Sequence, residues 1–173
     1  MESFRDMLLI GGHRNSLGRA GELVELLRQD PARVEELFAC ISDDDAWVRM
    51  RAVDTFEKVV AAQPQIGLPF VERILDDLAH REQSSVQWHV AQLLDELDLT
   101  PSQRRRAVAW LLQRIATTDV NWIVASNVMK TLLRFGRSGH VAASFLRPLF
   151  DVQMDHPSAA VRRNAGKALT QLG

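Results

Sequence analysis

One amphipathic spelling occurs four times along this chain of 173 residues. Val48, Ala52 and Phe56 stand four and eight residues apart, and the same frame holds Val86, Val90 and Leu94, then Val124, Val128 and Leu132, then Val161, Ala165 and Leu169. The starts differ by 38, 38 and 37 residues. Apolar residues at i, i+4 and i+8 share one face of an α-helix, so each copy reads as a helix that must bury a stripe. A single unit of this size cannot cover its own stripe, whereas stacked neighbours can.

Between the copies lies a second helical segment, which makes each unit a helix pair. The first helices are predicted over Pro31 to Ile41, about Leu68 to Leu78, Pro101 to Ala116, and Ser138 to about Met154. Boundary chemistry agrees: Asp30-Pro31 and Thr100-Pro101 each place a capping residue before a proline at the first helical position, and Thr100 with Gln103 spells a capping box. Asp45, Ser84 or Ser85, Asp119 or Asn121, and Ser158 are the candidate caps of the second helices, with Gly136 as a closing residue. Pro148 falls inside a helical pattern whose apolar stripe is read as Phe145, Leu149 and Val152, so it is expected to kink that helix without ending it. No segment alternates like a strand.

Two helices per 37 to 38 residues resembles the HEAT and armadillo class of α-solenoids. The resemblance implies an all-α, right-handed α-α superhelix in one domain, with residues 1–30 as an N-terminal cap and partial repeat, and 31–62, 66–98, 100–136 and 138–173 as about four helix pairs. Asn15 to Gln29 reads as the second helix of the partial unit, and Phe4, Met7, Leu8 and Ile10 are expected to cover the first unit. The polar outer face of the last helix reads as a finished end, so the array is expected to be complete. In this family an Asp before the second helix often faces an Arg just after its first valine. Asp43 and Arg49 fit; Gln87, Ala125 and the His156/Arg162 pair depart.

At 46% hydrophobic and 25% charged residues the composition is that of a folded globular chain, with neither collagen-like nor disulfide-dense character. The net charge of −1 conceals a split. Residues 1–98 hold ten Lys/Arg against nineteen Asp/Glu, and residues 99–173 hold eleven against three. Segregation of this kind points to a charged partner. No run is long enough to span a bilayer and the first residues lack a basic, signal-like region, so a cytoplasmic protein without membrane association is expected. The single Cys40, set in an apolar helical pattern, reads as a buried small hydrophobe.

If the second helices line a concave side, positions +2, +6 and +9 from each first valine face the groove. In chain order these are Met50, Asp54 and Glu57; Trp88, Gln92 and Asp95; Ser126, Lys130 and Leu133; Arg163, Lys167 and Thr170. The candidate binding residues are therefore Met50, Asp54, Trp88, Gln92, Asp95, Ser126, Lys130, Arg137, Arg163 and Lys167, an acidic start and a basic end with an indole between. Trp88 has two readings: an interface anchor, or a side chain packed against neighbouring units. Trp47, Trp110 and Trp122 are expected in the core. The +3 column of Arg51, His89, Asn127 and Asn164 reads as hydrogen-bonding residues facing the adjacent repeat, with His89 also a candidate pH switch.

Chemistry-bearing motifs are sparse. The histidines at 13, 80, 89, 140 and 156 form no pair at metal-ligand spacing, and no cofactor motif is present. Gly11-Gly12-His13 lacks the strand and Lys-Ser/Thr of a phosphate loop, and reads as a connection. Asp43-Asp44-Asp45 is explained by helix capping. Arg104-Arg105-Arg106 is either a solvated helix face or, with Arg114, Arg134, Arg137 and Arg147, part of an anion-binding body. The function expected is a non-catalytic scaffold that takes an acidic polypeptide segment in its groove, including an acidic region of another copy. The alternative is nucleic-acid binding: some solenoids of this class are similar to alkylpurine DNA glycosylases, and Trp88, Asp95, Lys130 and Arg163 are the residue types that resemblance implies. The smaller number of units and the acidic first half depart from it.

Overall fold

The computed structural model describes residues 2–10 and 16–172, so Gly11-Gly12-His13 and Asn15 lie outside the described residues. Every regular element among those described is helical. In chain order these are α1 (Phe4–Leu9), α2 (Ala20–Gln29), α3 (Val34–Cys40), α4 (Ala46–Ala62), α5 (Val71–Asp76), α6 (Ser84–Glu96), α7 (Pro101–Arg114), α8 (Trp122–Arg137), α9 (Ala143–Val152) and α10 (Ala159–Gln171). The twelve frame positions are sealed from solvent in every copy except at Leu169, which is half-buried. Short 3-10 turns at Pro31–Arg33 and Leu68–Phe70 replace the predicted α-helical starts at those prolines. The fourth first helix begins at Ala143, not Ser138, because Ser138 instead terminates α8.

The chain divides into two compact units, Met1–Val71 with Glu96–Asp98, and Glu72–Asp95 with Leu99–Gly173. The first carries eight Lys/Arg against fourteen Asp/Glu and the second thirteen against eight, so the charge asymmetry of the sequence survives this division.

In the first unit α4 is the central element, packed on by α1, α2 and α3. Phe38, Phe56 and Phe70 form its aromatic nucleus, with ring centroids 4.5 to 5.4 Å apart in tilted and edge-to-face geometry. Cys40 is buried as expected, its thiol donating to Glu36 O, and burial pushes its pKa up to about 11. Arg51, 3% exposed, donates from Nη1 to Leu8 O at 2.6 Å and from Nε to Ser16 O at 2.8 Å, tying the N-terminal segment to α4. Phe4, Met7 and Leu8 are buried on this unit, while Ile10 is exposed.

In the second unit α8 packs on α7, α9 and α10. Thr100 and Gln103 complete their reciprocal capping box at the start of α7. Asn121 caps α8 by accepting from Ile123 N. The residue that closes α8 is Gly139, at φ +73°, in place of the expected Gly136, which lies within the helix near Leu146. Helix α9 runs through Pro148 and buries Leu146 and Phe150; the stripe read as Phe145, Leu149 and Val152 is turned partly away from them, with Leu149 half-buried and Phe145 67% exposed. Trp110 is buried and donates to Ala79 O, whereas Trp47 and Trp122, expected in the core, are exposed. Both sit in the first turn of their helix, at its open end.

Side chains bond to partners about one period away. Thr131 Oγ1 donates to Ala91 O, Gln153 Nε2 to Ile115 O and Thr117 O, and Asn164 Nδ2 to Ser126 Oγ, while His156 Nε2 meets Val120 O. The separations are 36 to 40 residues. In the +3 column Arg51 and Asn164 reach across in this way. His89 Nδ1 meets Ser85 O, and Asn127 donates to Ile123 O, both within their own helix.

A second regularity lies at the entry to each second helix. Arg49 Nη1 donates to the carbonyls of Asp43 and Asp44, six and five residues before it. Arg162 repeats this on His156 O and Pro157 O, and Gln87 Nε2 donates to Arg81 O, also six residues back. His156 Nδ1 accepts from Ser158 N as Asp43 Oδ1 accepts from Asp45 N. Gln87 and the His156/Arg162 pair therefore keep the hydrogen bond while changing the letters; Ala125, with no polar atom, does not. Replacing Gln87 with Ala is expected to lower the unfolding free energy by about 1 kcal/mol. Gln87→Arg, which restores the guanidinium found at 49 and 162, should match or exceed wild type in urea denaturation.

Candidate functional site

Helices α6, α8 and α10 hold most of the predicted groove residues, all within the second unit. Thr131 and an Arg134–Asp95 ion pair join α8 to α6, and Asn164 joins α10 to α8. Between α8 and α10 opens a pocket of about 310 Å³, lined by Ser126, Asn127, Met129, Lys130, Leu133, Asn164, Lys167, Ala168 and Gln171. The helical period explains the set: 126, 127, 130 and 133 are one face of α8, and 164, 167, 168 and 171 the facing side of α10.

The pocket has an apolar floor and a cationic rim. Met129 and Ala168 are buried, whereas Lys130 and Lys167 are exposed and make no hydrogen bond or ion pair among the described residues. No carboxylate lines the pocket. Asn127 and Asn164 each donate through Nδ2 to the protein, which leaves their amide oxygens as acceptors. Arg137 stands outside the lining but donates to Gln171 Oε1 at 2.6 Å, orienting that side chain. Arg163 is exposed on α10, one turn before Lys167. Such a surface can hold a group that combines an anion with apolar area.

The structure thus brings Ser126, Lys130 and Lys167 together, with Arg137 and Arg163 at the margin. One period earlier on α6, Trp88 and Gln92 are half-buried, and the Trp88 ring stacks on His89 with centroids 3.4 Å apart. The predicted acidic start of the groove has a different character. Asp54 is buried, and its carboxylate accepts from Lys58 Nζ at 2.6 Å. Met50 is half-buried on the same helix. Asp95 is sequestered too, its side chain only 9% exposed. Leu133, Asn127 and Gln171 were legible only as face positions, because none carries a charge that singles it out.

Burial is the main influence on Asp95 and raises its pKa above the ordinary 3.8, against the opposing pull of Arg134 and Lys130. The ion pair alone argues for a lowered value. Arg134 is 53% exposed, however, so water screens its charge while the carboxylate bears the desolvation. A raised carboxylate pKa in the folded state stabilises below the unfolded value, and that stabilisation is lost as pH rises through the folded one. Asp95→Asn is therefore expected to leave stability at pH 7 unchanged or slightly higher. Thermal unfolding at pH 4 and pH 7 should show less loss across that interval than wild type.

No group of three or more His, Cys, Asp and Glu among the described residues is placed to hold a metal ion, and no described helix is long and apolar enough to cross a membrane. Comparison with models of protein families, with curated proteins and with solved structures finds no match to this chain.

Proposed function

We propose that the chain is a non-catalytic binding module, a right-handed α-solenoid of HEAT or armadillo type that takes an acidic polypeptide segment between its second helices. The observation that carries this reading is the pocket between α8 and α10, where two lysines without a hydrogen bond or close ion pair among the described residues stand over an apolar floor that no carboxylate lines. Side-chain hydrogen bonds to partners one period away, two of them to backbone carbonyls, support the stacked-repeat part of the reading. The mechanism is electrostatic capture followed by burial of an apolar side chain on Met129, Leu133 and Ala168. Arg163 extends the cationic rim, and Trp88 offers a half-buried indole one repeat away as a second contact.

Fluorescence anisotropy with a labelled leucine- and glutamate-rich peptide tests the reading. Saturable binding is expected at low salt, weakened about tenfold or more by the double reversal Lys130→Glu, Lys167→Glu, in line with the loss of two exposed charge pairs and their replacement by repulsion. Trp88→Ala is expected to weaken it less. Absence of binding, or binding indifferent to the double reversal, rules the groove out. Duplex DNA supplies the opposite outcome: tighter binding to DNA than to peptide, falling steeply between about 50 and 200 mM salt, transfers the same lysines to a nucleic-acid-binding role.

A further inference from the structure

The arginine run on α7 is divided by the turn of the helix. Arg106 is spent on α5, where Glu72 accepts from Nη1 at 2.6 Å and Asp76 from Nη2. Arg104 and Arg105 lie on a different face, about 150° from Arg106 at the centre of the group formed by 101, 104, 105 and 108. They border a separate cavity of about 390 Å³ whose remaining walls are Pro101, Val108, Gly139 and His140. None of these residues lines the pocket between α8 and α10.

Three cationic or protonatable side chains meet there without a carboxylate. Arg104 is positioned by donation from Nη2 to Leu99 O at 2.8 Å, which leaves the rest of its guanidinium for another acceptor. Arg105 is exposed and makes no ion pair or hydrogen bond among the described residues. His140 is held in place by its backbone: Gly139 at φ +73° turns the chain, His140 N donates to Phe135 O at 2.8 Å, and the ring lies edge-on to Phe135. Neither ring nitrogen of His140 makes a hydrogen bond among the described residues. Pro101 and Val108 add an apolar wall.

We propose that this cavity binds a phosphate group, free or as a small monoester, with Arg104 and Arg105 grasping its oxygens and His140 as a further donor. Guanidinium forks match phosphate geometry, and several donors on one oxyanion outcompete water where a lone surface cation does not. The hollow is open to solvent on one side, with room for a phosphate group and a small substituent. An extended polyanion would need a continuous basic stripe, and the occupation of Arg106 by Glu72 and Asp76 interrupts one.

Isothermal titration calorimetry on the full chain at low ionic strength, with inorganic phosphate and with phenyl phosphate, provides the test. Saturable binding of either probe is expected, weakened about tenfold by Arg105→Gln and to an intermediate degree by Arg105→Lys, which keeps the charge and loses the fork. Tighter phenyl phosphate identifies a monoester as the ligand through the Pro101–Val108 wall, and equal affinities identify the free anion. Arg106→Gln is expected to change affinity less than about twofold. No binding of either probe at millimolar concentration overturns the proposal. An equal loss in Arg105→Gln and Arg106→Gln also overturns it, since that marks a diffuse field in place of a site. Circular dichroism of each variant separates loss of the site from loss of the fold.

Discussion

Backbone carbonyls left over at the junctions between helices are the constraint around which this chain is organised. A helix that ends inside packed protein strands its last carbonyls, and each one buried without a donor costs about as much as a lost hydrogen bond. Here the donors come from side chains: Arg49, Gln87 and Arg162 reach back six residues, and Thr131 and Gln153 reach across to the previous repeat. The first three tie each junction to the helix that follows it, and the last two link segments about 38 to 40 residues apart within the second unit. The apolar frame could otherwise slide, because greasy contacts between two stripes specify little about their relative height.

Much of this was legible in the letters. The frame of Val, Ala, Phe and Leu announced which face of each second helix is buried, and Thr100, Asn121 and Asp45 announced where helices begin, because capping depends on a few neighbouring atoms. Tertiary cover was not legible. Position 54 has the period of a solvent-facing site, yet the aspartate is largely buried, with Lys58 of its own helix as its partner. Phe145 reads as core because it is large and apolar, but the rotation of α9 is set by Leu146 and Phe150, one residue along. Gly136 and Gly139 are equally plausible stops for α8 by residue type; only the backbone angle distinguishes them.

The basic residues of the second unit follow the same lesson. A count of charges treats them alike, whereas the fold sorts them by partner. Arg106 and Arg134 are joined to carboxylates and Arg162 serves the backbone, while Lys130, Lys167 and Arg105 stand without such partners among the described residues, beside two different hollows. The charge split of the sequence pointed only to a charged partner, whereas the arrangement of ion pairs shows which cations the fold leaves beside open space.

The loop after α7 draws its donors from the next helix pair. Ala125 contributes nothing to its own junction, and the carbonyls of Ile115, Thr117 and Val120 are met from beyond, by Gln153 and His156. That stretch therefore borrows its order. If α9 and α10 swing away, three acceptors are stranded at once, so the terminal hairpin cannot fray as an independent flap; its opening is coupled to loosening of the residues between α7 and α8, and the two regions behave as a single cooperative block.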